Sequence, residues 1–583
     1  MKAKEGVITI LITDATGFIG QQLAHFLLEN KLNQKKVRLI FIARNPKKLS
    51  PKLKKEFFVI QSSLEELAAL KSWALWEELD YVLHFAAEVK IAGKKSTLKA
   101  SNIEGTKQLI ERLAKSKKLQ RFILASSVGA VDRLKTEKIL KPLTEEQEPN
   151  PLTYYGKTKL ESELLVKQSG LNYTIIRIPW AFGPGMTADT HVNKLSFLAQ
   201  KNHVISKINF PGKVSLLPVE DLCQMIKFCL EEEKTKNETF FIKGQIKDMA
   251  LADIFKLTKS LYGHQSRTLE IPKIIQALFK ATRPLLPLVL QNLHDDVLCV
   301  SDKKIRALGF KAETDFHTSF QKMLHANNQP YNEEVFLVTG AASGIGEALA
   351  RSLYVSGKSL ILVDRKDLSS DLKKQAKVVL KLDLTQKEDL EQLEKQVQEE
   401  KRLAAVINCA GIGEKTTIQK MSQNKIEKML ALNCLATAKL SKLAIDRFVK
   451  QKKGILINIS STTAIQPFPF FAIYAASKSF VSFMTRAMMV ELKDDARIKI
   501  VDVLPSGVDT NFQENAKVKK RKDERLLSPE EVAGTISRLI TKNKKSGTYY
   551  IGNKGPIQEI MARVLPKQMN NVYGVDTFSV CVN

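Results

Sequence analysis

Two strand–turn–helix openings, GVITILITDATGFIG at residues 6–20 and EEVFLVTGAASGIG at 333–346, constrain this 583-residue chain more than any other feature. Each runs from a short apolar, β-branched stretch through a glycine-rich turn into the start of a helix. Glycines in such a turn let the backbone bend tightly and approach a pyrophosphate, which sits at the positive helix N-terminus. One such turn is a weak signal. Here short apolar runs then alternate with helix-like segments, a rhythm that predicts βαβ units and a parallel sheet. Halfway along the chain the rhythm restarts.

The predicted fold is therefore α/β, with two tandem doubly wound Rossmann-type domains and mostly parallel sheets. The boundary falls in the polar segment HANNQPYNEE (325–334), giving domains 1–328 and 329–583. Composition is that of ordinary globular protein, 44% hydrophobic and 26% charged. Six cysteines without a CxxC pair read as reduced thiols. With a first strand opening near Val7, no signal peptide is expected, so the expected location is the cytoplasm. The net charge of +29 comes from lysines scattered through both halves. It reads as a solvated surface, and no nucleic-acid partner or metal site is expected.

The second half carries the clearer chemistry. The cofactor turn comprises Thr339, Gly340, Ser343, Gly344, Ile345 and Gly346. Asp364 ends the next strand, LILVD, where a carboxylate accepts hydrogen bonds from an adenosine ribose; this favours NAD, although Arg365 and Lys366 would suit a 2′-phosphate. Further on, Tyr474 and Lys478 are spaced i, i+4 and share a helix face. A free phenol is a poor proton donor or acceptor at neutral pH. A nearby ammonium is expected to lower its pKa. Ser461, at the end of the strand GILINIS, is placed to hold a carbonyl toward the tyrosine.

These motifs resemble those of a classical short-chain dehydrogenase/reductase, in the correct order over about 333–555. NCAG (408–411) is similar to the family's NNAG motif, and Asn433 in ALNCLAT to its proton-relay asparagine. The resemblance implies a catalytic set of Ser461, Tyr474, Lys478 and Asn433. It adds Asp383, Asn408, Ala410, Gly411 and Thr510 to the cofactor contacts, with Ser506 departing from the family's glycine in LPSGVDT.

The first half resembles the extended members of the same family over residues 5–325, with a substrate region from about 177. Its implied catalytic set is Ser127, Tyr155 and Lys159. Its implied cofactor contacts are Thr13, Gly17, Phe18, Ile19, Gly20 and Arg44, and the basic cluster of Arg44, Lys47 and Lys48 favours NADP. VLHFAA (82–87), NIEGT (102–106) and IIRIPWAFGPG (175–185) are further matches. Two departures stand out. Ser63 replaces an adenine-contacting aspartate, and Asp14 replaces the first glycine of the turn. Aspartate tolerates a left-handed backbone, but its carboxylate would repel a pyrophosphate unless it turns away.

The expected activity is NAD(P)H-dependent interconversion of a carbonyl and an alcohol. An extended half before a classical one is similar to the architecture of two-domain bacterial fatty acyl-CoA reductases, which implies lipid metabolism and a lipid-like substrate. The apolar, basic stretches 271–293 and IQEIMARVLPKQM admit a lipid pocket, or weak peripheral membrane contact. Two alternatives stay open for the first half: a nucleotide-sugar epimerase or dehydratase, or a non-catalytic binding module. Relatives often dimerise, so a homodimer is also admitted.

Overall fold

The computed structural model describes residues 7–49, 57–67, 74–89, 94–114, 116–131, 142–210, 212–262, 264, 268–272, 298–328, 334–495, 497–510, 526–541 and 546–552. Most of 271–293 and all of IQEIMARVLPKQM lie outside the described residues. The chain divides into two compact units: Met1–Lys256 with Arg267–Met323, and Leu257–Ser266 with Leu324–Asn583.

In the first unit, β1 (Val7–Thr13), β2 (Lys36–Ala43), β3 (Phe58–Gln61), β4 (Tyr81–His84), β5 (Arg121–Ser127), β6 (Tyr173–Ile178) and β7 (Glu238–Phe241) form one sheet. Its spatial order is β3-β2-β1-β4-β5-β6-β7, and every pairing is parallel. Side chains alternate across the strands, which fixes the register. Ile10, Ile12, Phe41, Leu83 and Ile123 join one core; Leu11, Ile40, Ile42, Val82 and Phe122 join the core on the other face. Such near-continuous apolar strands are what a sheet covered on both faces requires. Helix α1 (Phe18–Glu29) follows β1, and α2 (Tyr154–Lys167) follows β5. Short two-stranded sheets, pairing Trp180–Phe182 with Leu216–Pro218 and Lys213–Val214 with Met249–Ala250, follow β6 in the region assigned to substrate.

The second unit repeats the plan. Strands β8 (Val335–Thr339), β9 (Ser359–Asp364), β10 (Val378–Lys381), β11 (Leu403–Asn408), β12 (Gly454–Ile459), β13 (Ile498–Pro505) and β14 (Gly547–Ile551) lie in the order β10-β9-β8-β11-β12-β13-β14, again wholly parallel. Helix α3 (Gly344–Val355) follows β8, and α4 (Ala472–Glu491) follows β12. In each sheet the chain reverses direction of travel at its first strand. That topological switch point, at the carboxyl ends of the strands, is where doubly wound sheets bind ligands. Among the described residues no helix is long and apolar enough to cross a membrane.

Candidate active sites

At the switch point of the second unit, Gly340 turns the chain with φ +70 and Gly344 with φ +58. A Cβ on Gly346 would lie 2.1 Å from the Gly340 carbonyl oxygen, so only a glycine lets α3 start this close to β8. Ser343 is the N-cap of α3 and Ile345 lies in its first turn. Thr510 flanks the turn, its methyl 3.1 Å from where a Gly344 Cβ would stand. Asp364 accepts the Ala342 N–H at 2.9 Å and the Lys366 N–H at 2.9 Å, which fixes its carboxylate beside the turn. The open Gly344, the helix N-terminus and this carboxylate fit the phosphates and adenosine ribose of a dinucleotide.

Two expected cofactor contacts face inward instead. The buried hydroxyl of Thr339 accepts the N–H groups of Cys409 and Ala410 at 3.0 and 3.1 Å, tying β8 to the loop after β11. The amide of Asn408 donates to Asn458 at 2.8 Å and to Ser441 at 3.3 Å, inside the fold. Both residues are buried because they pin strands together. Asp383 is similarly engaged, accepting from the N–H and hydroxyl of Thr385. Against the upward pull of burial, those bonds hold its carboxyl below the usual range.

The tyrosine and its partners lie further along the same edge. Tyr474 and Lys478 stand one turn apart on α4, with the Lys478 ammonium 6.0 Å from the Tyr474 ring centre. That ammonium donates to the Ile459 carbonyl at 2.8 Å. Ser461, buried at the end of β12, is hydrogen-bonded to the Tyr474 hydroxyl. Burial lowers the Lys478 pKa, opposed by Cys409, Cys434 and Asp502. For Tyr474 the structure corrects the sequence expectation. Burial pushes the phenol up to about 12, and the opposing effect is the bond to Ser461. One N–H of the Lys478 ammonium is directed at the Ile459 carbonyl.

Asn433 lies in a π-helical segment, Ala431–Ala436, which turns its amide inward. It accepts the Ile412 N–H at 3.0 Å, donates to the Ile412 carbonyl at 2.9 Å and donates to Ser477 at 2.9 Å. Its oxygen and the Lys478 nitrogen each lie 3.3 Å from where a Cβ on Gly411 would stand. A side chain at that position would crowd the site.

The first unit repeats this geometry almost bond for bond. Lys159 donates to the Ala125 carbonyl at 2.7 Å, and Ser127 is hydrogen-bonded to Tyr155. Burial raises the Tyr155 pKa, with the Ser127 bond opposing. Burial brings Lys159 down to about 8, with Glu163 and Asp14 opposing. The buried Thr13 hydroxyl accepts from the N–H groups of Phe85 and Ala86, as Thr339 does in its own unit.

Asn102 was not among the site residues expected from sequence. It sits in another π-helical segment, Ala100–Glu104, and accepts the Glu88 N–H at 2.7 Å. It donates to the Glu88 carbonyl at 3.1 Å and to Thr158 at 2.9 Å. Aligning NIEGT with the segment around Asn433 would have found it.

The cofactor turn is where the first unit departs. Gly17 caps α1, Phe18 and Ile19 open the helix, and Gly20 packs so closely that its Cβ would lie 2.2 Å from the Asp14 carbonyl oxygen. Asp14 adopts φ +61, the conformation its place demands. Its carboxylate does not turn away. It lies against Gly17, with Arg44 and Lys159 the cations that act on it. As it stands, this turn does not fit a pyrophosphate.

Comparison with known proteins agrees with the two sheets. Residues 334–521 match the family model for short chain dehydrogenases, and residues 10–242 match that of the NAD dependent epimerase/dehydratase family. The chain is a tandem short-chain dehydrogenase/reductase. Its C-terminal domain is of the classical type and its N-terminal domain of the extended, epimerase/dehydratase-like type. It is an NAD(P)-dependent oxidoreductase by family. An uncharacterized oxidoreductase of Staphylococcus epidermidis is 29% identical over 216 residues, which is 36% of this chain and 92% of that protein. A short-chain dehydrogenase from Sphingobium yanoikuyae, solved with NADPH, is 25% identical over 43% of this chain and 96% of its own, with a TM-score of 0.36. A UDP-glucose 4-epimerase of Thermotoga maritima, solved with UDP-glucose, is 19% identical over 55% of this chain and 98% of its own, with a TM-score of 0.44.

Proposed function

We propose that the C-terminal domain of this tandem enzyme interconverts a carbonyl and an alcohol, with Tyr474 as the group that holds the transferred proton. The observation that carries the reading is the Ser461–Tyr474 hydrogen bond set over the buried Lys478 ammonium. The nicotinamide of NAD(P)H supplies the hydride when bound. The chain's own residues do the rest. Ser461 orients the carbonyl oxygen toward Tyr474 Oη. The phenol, protonated at neutral pH because burial lifts its pKa to about 12, donates its proton to that oxygen. The phenolate left behind is stabilised by the Lys478 ammonium and regains its proton from solvent. Asn433 is a positioning residue that locks the Ile412 loop to α4 through Ser477.

Asp364 beside the glycine turn supports NAD over NADP in this domain. We take 1–328 and 329–583 as the functional domains, with Arg44 inclining the first toward NADP wherever it binds. We further propose a lipid-like substrate and peripheral membrane contact from the architecture and the apolar, basic segments, a homodimer from the habit of the family's members, and a cytoplasmic location from the reduced cysteines.

In the N-terminal domain, Ser127, Tyr155 and Lys159 keep the catalytic spacing, while Asp14 alters the cofactor turn. The altered turn favours the reading of this domain as a binding module at neutral pH. The test is oxidation of NADH and NADPH by the full chain with a panel of aldehydes and ketones. Tyr474→Phe is expected to lower kcat by about 10²–10⁴-fold with dinucleotide affinity retained. Full activity in Tyr474→Phe would overturn the proposal. Loss of activity in Tyr155→Phe would restore catalysis to the first domain.

A further inference from the structure

The two turns correspond at their ends, Asp14 with Gly340 and Gly20 with Gly346, and differ between them: the helix N-cap is Gly17 in one and Ser343 in the other. In the C-terminal domain the glycine over which a pyrophosphate must pass is bare. A Cβ built on Gly344 meets only Thr510 among the described residues within 4 Å. In a glycine-rich turn of this kind the second glycine serves that approach, Gly344 in the G-x-x-x-G-x-G spacing of this domain. The N-terminal turn is spaced D-x-x-G-x-x-G, so its second glycine, Gly17, stands one position earlier, at the helix N-cap, and it is covered. A Cβ there would lie 2.0 Å from Asp14 Oδ2, 2.6 Å from Cγ and 2.9 Å from Oδ1. The covering side chain springs from the position that corresponds to Gly340. Both residues are left-handed, with φ +61 and +70, so the conformation at this position is kept and a carboxylate is added to it.

Granted the dinucleotide reading of both turns, we infer that Asp14 shuts the N-terminal cradle while its carboxyl is ionised, leaving the chain one open cofactor site at neutral pH. Two effects combine. The carboxylate occupies the approach to Gly17, and its charge repels a pyrophosphate a few ångströms away in a site where water screens poorly. The charged groups that act on it come from two elements, and the nearest titratable group of a third, His84, is neutral. Arg44 at the end of β2 and Lys159 on α2 favour the ionised form, but burial outweighs them and raises the carboxyl pKa to about 6. His84, at the end of β4, bonds to Thr13 and Thr106 and is held neutral by burial, its own pKa pushed down to about 3. The first turn of α1 adds no acidic residue. As pH falls through about 6 the carboxyl loses its charge, which lifts the repulsion and leaves a neutral side chain for a dinucleotide to displace.

The experiment is calorimetric titration of the full chain with NADH and, separately, NADPH at pH 5.5, 6.5 and 7.5. Wild type, Asp14→Gly and Asp14→Asn are compared, since both replacements tolerate the left-handed turn. Circular dichroism confirms that each variant is folded. The wild type is expected to bind one dinucleotide per chain at pH 7.5 and a second at pH 5.5. Asp14→Gly, which removes both side chain and charge, should bind one more than the wild type at pH 7.5; Asp14→Asn, which removes the charge alone, should bind it more weakly than Asp14→Gly, and in both the added site should be nearly independent of pH. The inference is overturned if wild type and variants bind the same number at pH 7.5 with the same affinities. A wild type that binds none, with one gained in the variants, would uphold the role of Asp14 and remove the C-terminal cofactor reading instead.

Discussion

Lys478 and Ile459 are joined by a 2.8 Å hydrogen bond from ammonium to carbonyl, and Ile459 stands two residues before Ser461. Lys159 makes the same bond to Ala125, two residues before Ser127. Each lysine thus anchors the strand end that presents the serine, and the Lys478 charge lies 6.0 Å from the Tyr474 ring centre. Replacing it removes an anchor and a charge together.

Lys478→Met is therefore expected to lower carbonyl reduction by at least about 100-fold. Lys478→Arg should recover little, because a planar guanidinium cannot take the place of a compact ammonium in this buried slot. Steady-state rates with NADH and a responsive aldehyde or ketone check both. A Lys478→Met enzyme with wild-type kcat would show that the ammonium takes no part in proton transfer.

Asn102 and Asn433 each make three hydrogen bonds from a π-helical segment to the loop beyond the fourth strand and to the catalytic helix. Truncation leaves buried donors and acceptors unpaired. Asn102→Ala and Asn433→Ala are each expected to cost about 2–3 kcal/mol in urea unfolding. Asn433→Ala should in addition lower kcat with little change in KM, because the loop it fixes borders the Lys478 ammonium. A stability change below about 0.5 kcal/mol in both would remove the anchoring role.

Much of this was legible in the sequence for local reasons. The i, i+4 spacing of Tyr474 and Lys478 dictates a shared helix face, and apolar strands after glycine turns dictate a parallel sheet covered on both sides. The features that escaped depend on which way a side chain points in three dimensions. Thr13 and Thr339 turn their hydroxyls to the neighbouring strand's loop, which no spacing rule states. The buried carboxylate near each lysine comes from different elements, Glu163 on α2 in one domain and Asp502 on β13 in the other. Sequence alignment of the helices alone conceals that equivalence. Asp14 was visible as a departure, but only coordinates show its carboxylate lying on Gly17.

Glu163 is wholly buried and accepts from Ser126 at 2.5 Å and from Arg177 at 3.1 and 2.8 Å. Breaking such a pair strands a charge. Arg177→Met is expected to destabilise the N-terminal domain by about 3–5 kcal/mol, whereas the double replacement Glu163→Leu with Arg177→Met should recover much of that loss. Urea unfolding of the four members of the cycle tests this. Additive single effects would mean that the two side chains do not act as a pair.

The Asp14 carboxyl has an ordinary pKa of 3.8 and a folded pKa of about 6, and the sign of its effect on stability follows. Between these values the unfolded chain releases the proton first, so rising pH favours unfolding. The folded state is penalised progressively from about pH 4 to pH 6, and the penalty is complete above that. Removing the charge removes it. Asp14→Asn is expected to be more stable than wild type by about 2 kcal/mol at pH 8, allowing for partial exposure, and the gap should close as pH falls toward 4. Urea unfolding at pH 8, 6 and 4.5 reads the difference directly. A gap that stays constant with pH would assign the effect to shape or backbone preference, and a gap that widens on acidification would reverse the sign and place the carboxyl in a favourable ion pair with Arg44 or Lys159.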